Sequence, residues 1–176
     1  VMFCAALIAG YQLTTNGWPL ALCLILCILV GTAFGVLNGL LVTYLGLPSF
    51  ITSMASMMIA KGLGSVFTKT QPVSWPQLSD ASGNGWYRNL VRMQVGGITV
   101  PTGLVLLVIG AVICAIILNK TKAGRYILCI GSNREAVRLS GVNTKGWETL
   151  AYILCGTLAG IAAIFYVGVY TTVQPG

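Results

Sequence analysis

Of the 176 residues, 56% are hydrophobic and only 7% are charged, against about a quarter charged in an ordinary soluble domain. Ten Lys plus Arg, three Asp plus Glu and no His leave too few polar side chains to coat a water-facing surface, which excludes a soluble globular enzyme and makes lipid the solvent of most of the chain. The net charge of +7 is compatible with nucleic acid, anionic lipid or control of membrane topology, and the positions of the basic residues decide among them.

A spanning helix needs about 20 mainly apolar residues. The first apolar run, residues 1–10, is expected to be the tail of a helix that begins upstream. It does not read as a signal peptide, because no basic segment precedes it and no small-residue cleavage site follows. Residues 11–17 read as a short polar turn. Trp18 and Pro19 open a second span over 18–42, as an interfacial aromatic and a residue of fixed φ commonly do. The stretch 44–48 breaks that span, and a third follows over 49–67. Residues 69–100 mix Pro, Gly, Ser, Asn and two Trp without sustained periodicity and read as a long extramembrane loop. Pro101 opens a fourth span over 101–118, residues 119–147 form a polar connection, and a fifth span covers 148–170. The expected fold is all-α, a single polytopic transmembrane helical bundle of about five spans.

Six of the ten basic residues, Lys120, Lys122, Arg125, Arg134, Arg138 and Lys145, crowd the connection 119–147. Clustering between apolar segments is the mark of a cytoplasmic loop, which sets nucleic acid aside as a partner. That assignment puts the loop 69–100 outside, with Lys69, Arg88 and Arg92 against Asp80, and the turn 44–48 inside.

The side-chain inventory removes further chemistry. Without histidine the chain lacks the usual near-neutral base and the commonest metal ligand. Asp80, Glu135 and Glu148, its three acids, fall at or beyond the ends of apolar runs, so no intramembrane carboxylate pair exists for proton relay or glycosidic cleavage. Cys4, Cys23, Cys27, Cys114 and Cys155 lie in apolar runs and Cys129 in a polar stretch. With no Cys-x-x-Cys they read as small buried hydrophobes, although Cys23 and Cys27 share a helix face that can present thiols to a metal or a thiol partner. No metal site, cofactor or catalytic residue is expected.

Within the second span Gly31, Gly35 and Gly39 recur every four residues, stripping side chains from one stripe so that a neighbouring backbone can approach. Gly156 and Gly160 repeat the device in the fifth span. Helix packing is the ordinary reading, and a direct role in solute passage the alternative. In the third span Ser49, Thr52, Ser53, Ser56 and Ala60 fall at i, i+3, i+4, i+7 and i+11. Their hydroxyls can line an aqueous path for a polyhydroxylated solute, each offering donor and acceptor, or bond to carbonyls of their own helix and serve packing. Asn38 is a further path candidate and is expected to bond across a helix interface. Lys61 is read as snorkelling to the outer surface.

In the basic connection Ser132-x-x-Glu135 has the form of a capping box that starts a short surface helix ended by Gly141. Arg134 and Arg138, at i and i+4, are a like-charge pair that costs a little in isolation, while Ala136 and Leu139 offer a small apolar patch. Such a helix can lie on anionic headgroups or dock into a protein groove.

The residues Gly124, Arg125, Tyr126, Gly131, Asn133, Glu135, Ala136, Arg138, Leu139, Ser140, Gly141, Val142 and Asn143 resemble the coupling-loop signature of the monosaccharide (ribose-type) permeases of ABC importers. Asn38-Gly39-Leu40, then Pro48, Phe50, Ile51 and Thr52, then Gly62, Gln71-Pro72 and the terminal Gln174-Pro175 are similar to the same family, so the resemblance runs through nearly the whole chain. Departures are Ser132 where the family often has Gly, Cys129 and Val137 where Ala is common, and Lys61 where Arg is frequent.

The resemblance implies an inner-membrane permease subunit with no ATPase of its own, matching the lack of a phosphate-binding G-x-x-x-x-G-K-[ST] motif. It implies that Ser132, Arg134, Glu135, Ala136, Arg138, Leu139 and Gly141 dock a separate ABC ATPase subunit. It also implies a second permease subunit and a periplasmic or lipoprotein sugar-binding protein that docks on 69–100. The family's later Gly-rich region and final helices are not in this sequence, so the chain is expected to be a fragment that does not transport alone. A branched-chain amino acid permease and a non-ABC membrane scaffold or pore are the competing functions.

Overall fold

In the computed structural model, residues 1–75, 92–95, 98–170 and 172–174 are described. The first helix, α1, runs Met2–Asn16 and ends at Gly17, whose φ of 61° closes it. The polar turn expected over 11–17 is therefore mostly helix. Its side chains support the backbone they sit on: Thr14 Oγ1 donates to the Gly10 carbonyl at 3.0 Å and Asn16 bonds Gln12 one turn back.

Two long helices follow, α2 over Leu20–Thr43 and α3 over Ser49–Phe67, each entered from a proline whose extended backbone sets the first turn: Pro19 at φ −61°, ψ 138° and Pro48 at φ −56°, ψ 131°. The expected loop 69–100 lies largely outside the described residues, Asp80 and Arg88 with it. Its described residues include a turn at 69–70 and short strands, which periodicity alone did not reveal. A two-residue strand β1 (Val73–Ser74) leads to β2 (Arg92–Val95), which pairs antiparallel with β3 (Ile98–Pro101).

Helix α4 (Thr102–Lys120) then meets α5 (Lys122–Ser132), with an angle of 78° between Leu107–Lys120 and Lys122–Ser132. Helix α5 lies inside the connection 119–147, ahead of the one short helix expected there. Thr121 starts it by accepting a hydrogen bond from the Gly124 amide at 3.2 Å. After the short α6 (Arg134–Leu139), α7 runs Thr144–Val169, and β4 (Thr172–Val173) closes the described chain.

Among the described residues three helices, α2, α3 and α7, are long and apolar enough to cross a membrane, and α4 with α5 makes a fourth if the bent pair is one span. The first of the five expected spans is present as the 15 residues of α1. The bundle is built on α2 and α7, which pack along their lengths, with α1 laid across α2, α3 and α7. Small residues are prominent in its core, with Cys4, Ala5, Ala6 and Ala9 of α1, Cys23 and Cys27 of α2, and Ala163 of α7 buried beside larger ones such as Leu7, Leu20 and Val167. Small side chains allow close approach where no hydrophobic effect drives helices together in lipid. Large apolar residues face outward, among them Leu22, Ile25 and Leu29 of α2, Phe50, Met54 and Met58 of α3, and Leu107, Val112 and Ile116 of α4, as a hydrocarbon solvent permits. One end of α1 is covered by an antiparallel ribbon that pairs Val73 with Val173, and a Cβ at Gly10 would come within 2.5 Å of Trp75 Nε1.

Candidate functional site

The glycines of the second and fifth expected spans face one another. A Cβ built on Gly31 would lie 2.5 Å from the Gly156 carbonyl oxygen and 2.8 Å from Gly160 Cα, and one on Gly35 would lie 2.7 Å from the Tyr152 carbonyl oxygen. Gly39, at the wider end, would meet Thr149 Cγ2 at 3.0 Å. These glycines bring α2 and α7 to backbone contact.

The hydroxyl stripe of α3 divides. Thr52 and Ser56 are buried with Ala60 and Gly64, whereas Ser49 and Ser53 are exposed. Three of the hydroxyls donate to carbonyls of their own segment: Thr52 to Pro48 at 3.2 Å, Ser53 to Phe50 at 2.9 Å and Ser56 to Ser53 at 3.0 Å. Each oxygen keeps lone pairs free to accept. Asn38 does not bond across an interface as expected: its Oδ1 is shielded from solvent and accepts no hydrogen bond among the described residues. The side chain closest to a Cβ at the adjacent Gly39, that of Thr149, donates instead through its hydroxyl to the Lys145 carbonyl of its own helix at 2.9 Å. Lys61 is exposed at the edge of an apolar cavity of about 420 Å³ lined also by Phe3, Cys4 and Met57.

The short helix α6 is present, with a different cap from the one expected. Ser132 belongs to the last turn of α5, and Asn133, with extended backbone (φ −151°, ψ 98°), accepts from the Ala136 amide through Oδ1 at 3.1 Å. Continuation of α5 through Ser132 shifts the junction by one residue, and Asn is as good an N-cap as Ser. Gly141 closes the segment at φ 81°, its amide donating to the Arg138 carbonyl at 3.0 Å. Helix α6 buries none of its residues. Leu139 is 86% exposed, and Arg138 and Glu135 lie 3.8 Å apart as a loose, exposed pair. Arg134, the other arginine of the expected like-charge pair, turns the opposite way. Its Nε and Nη2 meet Oε1 and Oε2 of Glu148 at 2.9 and 3.0 Å, a two-pronged ion pair.

Sequence reasoning missed the partner of that arginine and the cluster around it. Within little more than one turn at the start of α7, Lys145 lies over the Tyr44 ring at 5.3 Å, Trp147 packs on Tyr126 of α5 with ring centroids 5.3 Å apart, Glu148 holds Arg134, and Thr149 Oγ1 lies 2.9 Å from Thr43 Oγ1 of α2. An amphipathic repeat running through the basic run was the available signal: Tyr126, Ile127 and Ile130 share one face of α5. A cavity of about 500 Å³ opens beneath, lined by Val42, Ser49, Ile130, Arg134, Glu148 and Tyr152 among others. Among the described residues no group of His, Cys, Asp and Glu is arranged to hold a metal ion.

A glycine-packed helix pair in a lipid-facing bundle, with a basic helical connection tied to one end of it and its short helix left exposed, fits the class of a polytopic helical membrane permease. The chain belongs to the family described as branched-chain amino acid transport system / permease component, whose sequence profile matches residues 1–176. It is 32% identical over 157 residues to the fructose import permease protein FruF of Bifidobacterium longum (strain NCC 2705), covering 89% of this chain and 43% of that protein. It is 32% identical over 146 residues to the ribose import permease protein RbsC of Escherichia coli (strain K12), covering 83% and 44%. It is 28% identical over 153 residues to the galactose/methyl galactoside import permease protein MglC of Salmonella typhimurium, covering 85% and 44%. The chain spans less than half the length of these curated relatives. No solved structure matches it. Family and apolar helices together make this a multi-pass protein of the inner membrane.

Proposed function

We propose that this chain is the central part of the permease subunit of an ATP-binding-cassette importer that moves a monosaccharide or a similar small polyhydroxylated solute into the cytoplasm. The observation that carries the reading is α6, a capped helix in a family permease that buries none of its residues and presents Arg138 and Leu139 outward. The relatives' names, fructose, ribose and galactose import permeases, favour a sugar over a branched-chain amino acid.

In this reading the connection 119–147 is cytoplasmic, and Glu135, Ala136, Arg138, Leu139 and Gly141 form the surface received by a separate ATPase subunit. The chain supplies no catalytic residue, and ATP hydrolysis belongs to that subunit. Two permease subunits work as a pair, and the extracytoplasmic segment 69–100 receives a sugar-binding protein. Closure of the paired ATPase subunits displaces α6, and the displacement switches the permeases between outward-open and inward-open states. Ser49, facing the 500 Å³ cavity, and Asn38, with an acceptor left unpaired, are the polar groups best suited to a solute that donates many hydroxyl protons. Ser53, Thr52 and Ser56 complete the candidate path.

Arg138→Glu and Gly141→Trp in the full-length protein test the reading. Both variants should insert into the membrane while ATP-dependent sugar uptake and co-purification of an ATPase fall together. Unchanged uptake, or absence of any ATPase from the unaltered protein in mild detergent, overturns it.

A further inference from the structure

Of the residues that sequence resemblance groups as one docking surface, Arg134 stands apart in its geometry. Arg138 and Leu139 point away from the protein, whereas both donor prongs of the Arg134 guanidinium are taken by Glu148 on α7. A guanidinium with two parallel bonds to a carboxylate is held in orientation as well as in distance. The Glu148 side chain is 20% exposed and that of Arg134 50%, so the pair is partly shielded from water.

Glu148 occupies the turn of α7 that also touches α5 through Trp147, the turn after α2 through Lys145, and α2 itself through Thr149. Beyond that turn α7 runs against α2 on the glycine seam, where the two backbones are in contact, so a displacement of α7 is passed to α2. A force on α6 reaches the bundle along the chain, through α5 and through the turn at Gly141, and by one directional side-chain path from the helix itself, guanidinium to carboxylate to α7.

We infer that the Arg134–Glu148 pair is the strut through which α6 drives the α2–α7 pair, and that Arg134 is a positioning residue, not an ATPase contact. The inference rests on the importer reading above. Loss of the strut leaves docking intact and lets α6 move without carrying α7, so ATP is hydrolysed with less solute moved per turnover.

The test uses the full-length permease assembled with its ATPase and binding protein in proteoliposomes, comparing Arg134→Glu, Glu148→Arg, the double exchange R134E/E148R, and the neutral Arg134→Gln and Glu148→Gln. The expected result is unchanged co-purification of the ATPase in every variant. Solute moved per ATP should fall about fivefold in the single reversals, the shift that an ion pair at the strong end of the partly exposed range can supply. The double exchange should recover it to within about twofold, as a mutually compensating pair does in a double-mutant cycle. If the reversals do not accumulate in the membrane, the two glutamine variants carry the test through a smaller fall of equal size in both.

Unchanged coupling in the single variants overturns the strut. So does a double exchange that recovers nothing, and so does loss of the ATPase from Arg134 variants but not from Glu148 variants, which makes Arg134 a docking contact. Failure of the unaltered protein to bind an ATPase overturns the importer reading itself and is seen before any variant is made.

Discussion

Replacing Gly156 with alanine puts a carbon where the backbone of α2 already is. The new Cβ would lie 2.5 Å from the Gly31 carbonyl oxygen, 2.7 Å from Gly35 Cα and 2.9 Å from the Gly35 amide nitrogen. All three are backbone atoms, so no change of rotamer relieves the overlap. Restoring an ordinary contact of about 3.5 Å requires the helices to part by roughly 1 Å, which forfeits a quarter to a half of the dispersion energy of every atom pair in the seam. Overpacking of this kind costs about 1–3 kcal/mol, and alanine's better helix propensity returns up to about 1 kcal/mol. With the full propensity gain the net loss is about 0–2 kcal/mol per substitution, against a gain of up to about 1 kcal/mol where a glycine is unhindered. Gly62 and Gly110 provide internal controls, since a Cβ on either meets nothing within 4 Å. Unfolding of the detergent-solubilised full-length protein, followed by circular dichroism, should rank Gly31→Ala and Gly156→Ala below the unaltered protein and Gly62→Ala and Gly110→Ala level with it or above. The double variant G31A/G156A should cost less than the sum, because one separation relieves both clashes. A Gly156→Ala protein as stable as Gly62→Ala refutes the steric argument.

Asn133→Ala removes the acceptor of the Ala136 amide and should cost about 1 kcal/mol locally; hydrogen exchange is expected to speed up at residues 136–139 and stay unchanged in α7, and uniform protection counts against the cap. Gly124→Ala drives a Cβ into the Leu118 and Ile117 backbone, so the elbow between α4 and α5 must open, read as a longer distance between spin labels at Ile109 and Leu128; an unchanged distance refutes the close approach. In a variant retaining Cys129 alone, an impermeant maleimide should label inverted vesicles and spare intact spheroplasts, because Cys129 is exposed on α5; labelling of spheroplasts reverses the proposed sidedness.

How far the sequence speaks for itself varies with the physics of each element. Helix α3 was legible to the residue, 49–67, because a proline fixes its first turn and no competing cap lies nearby. Helix α7 begins at Thr144, four positions before the expected Glu148, since Asn143 caps it through its side chain to the Gly146 amide at 3.3 Å, and polarity in the first turn hid that start. Polarity misled in α1 as well, where the helix continues through Asn16 while Thr14 bonds to its own backbone and Asn16 to the Gln12 side chain one turn back. Helix α5 was concealed by Lys122 and Arg125, which belong to its solvent face. The glycine stripes were legible because both partners repeat every four residues. The Arg134–Glu148 pair was not, because nothing local distinguishes one arginine of α6 from the other until the turn at Gly141 folds α7 back beside it.

The ribbon that joins Val73 to Val173 carries a consequence for biogenesis. The two valines are one hundred positions apart, and a ribosome adding about 5–20 residues per second releases the first several seconds before the second exists. Throughout that interval the edge of β1 has no mate, and the segment carrying Trp75 has nothing finished to seal it in place. The nascent chain therefore reaches the membrane with its earlier helices inserted but β1 unlatched, and the open strand needs shelter until β4 follows α7 out of the ribosome.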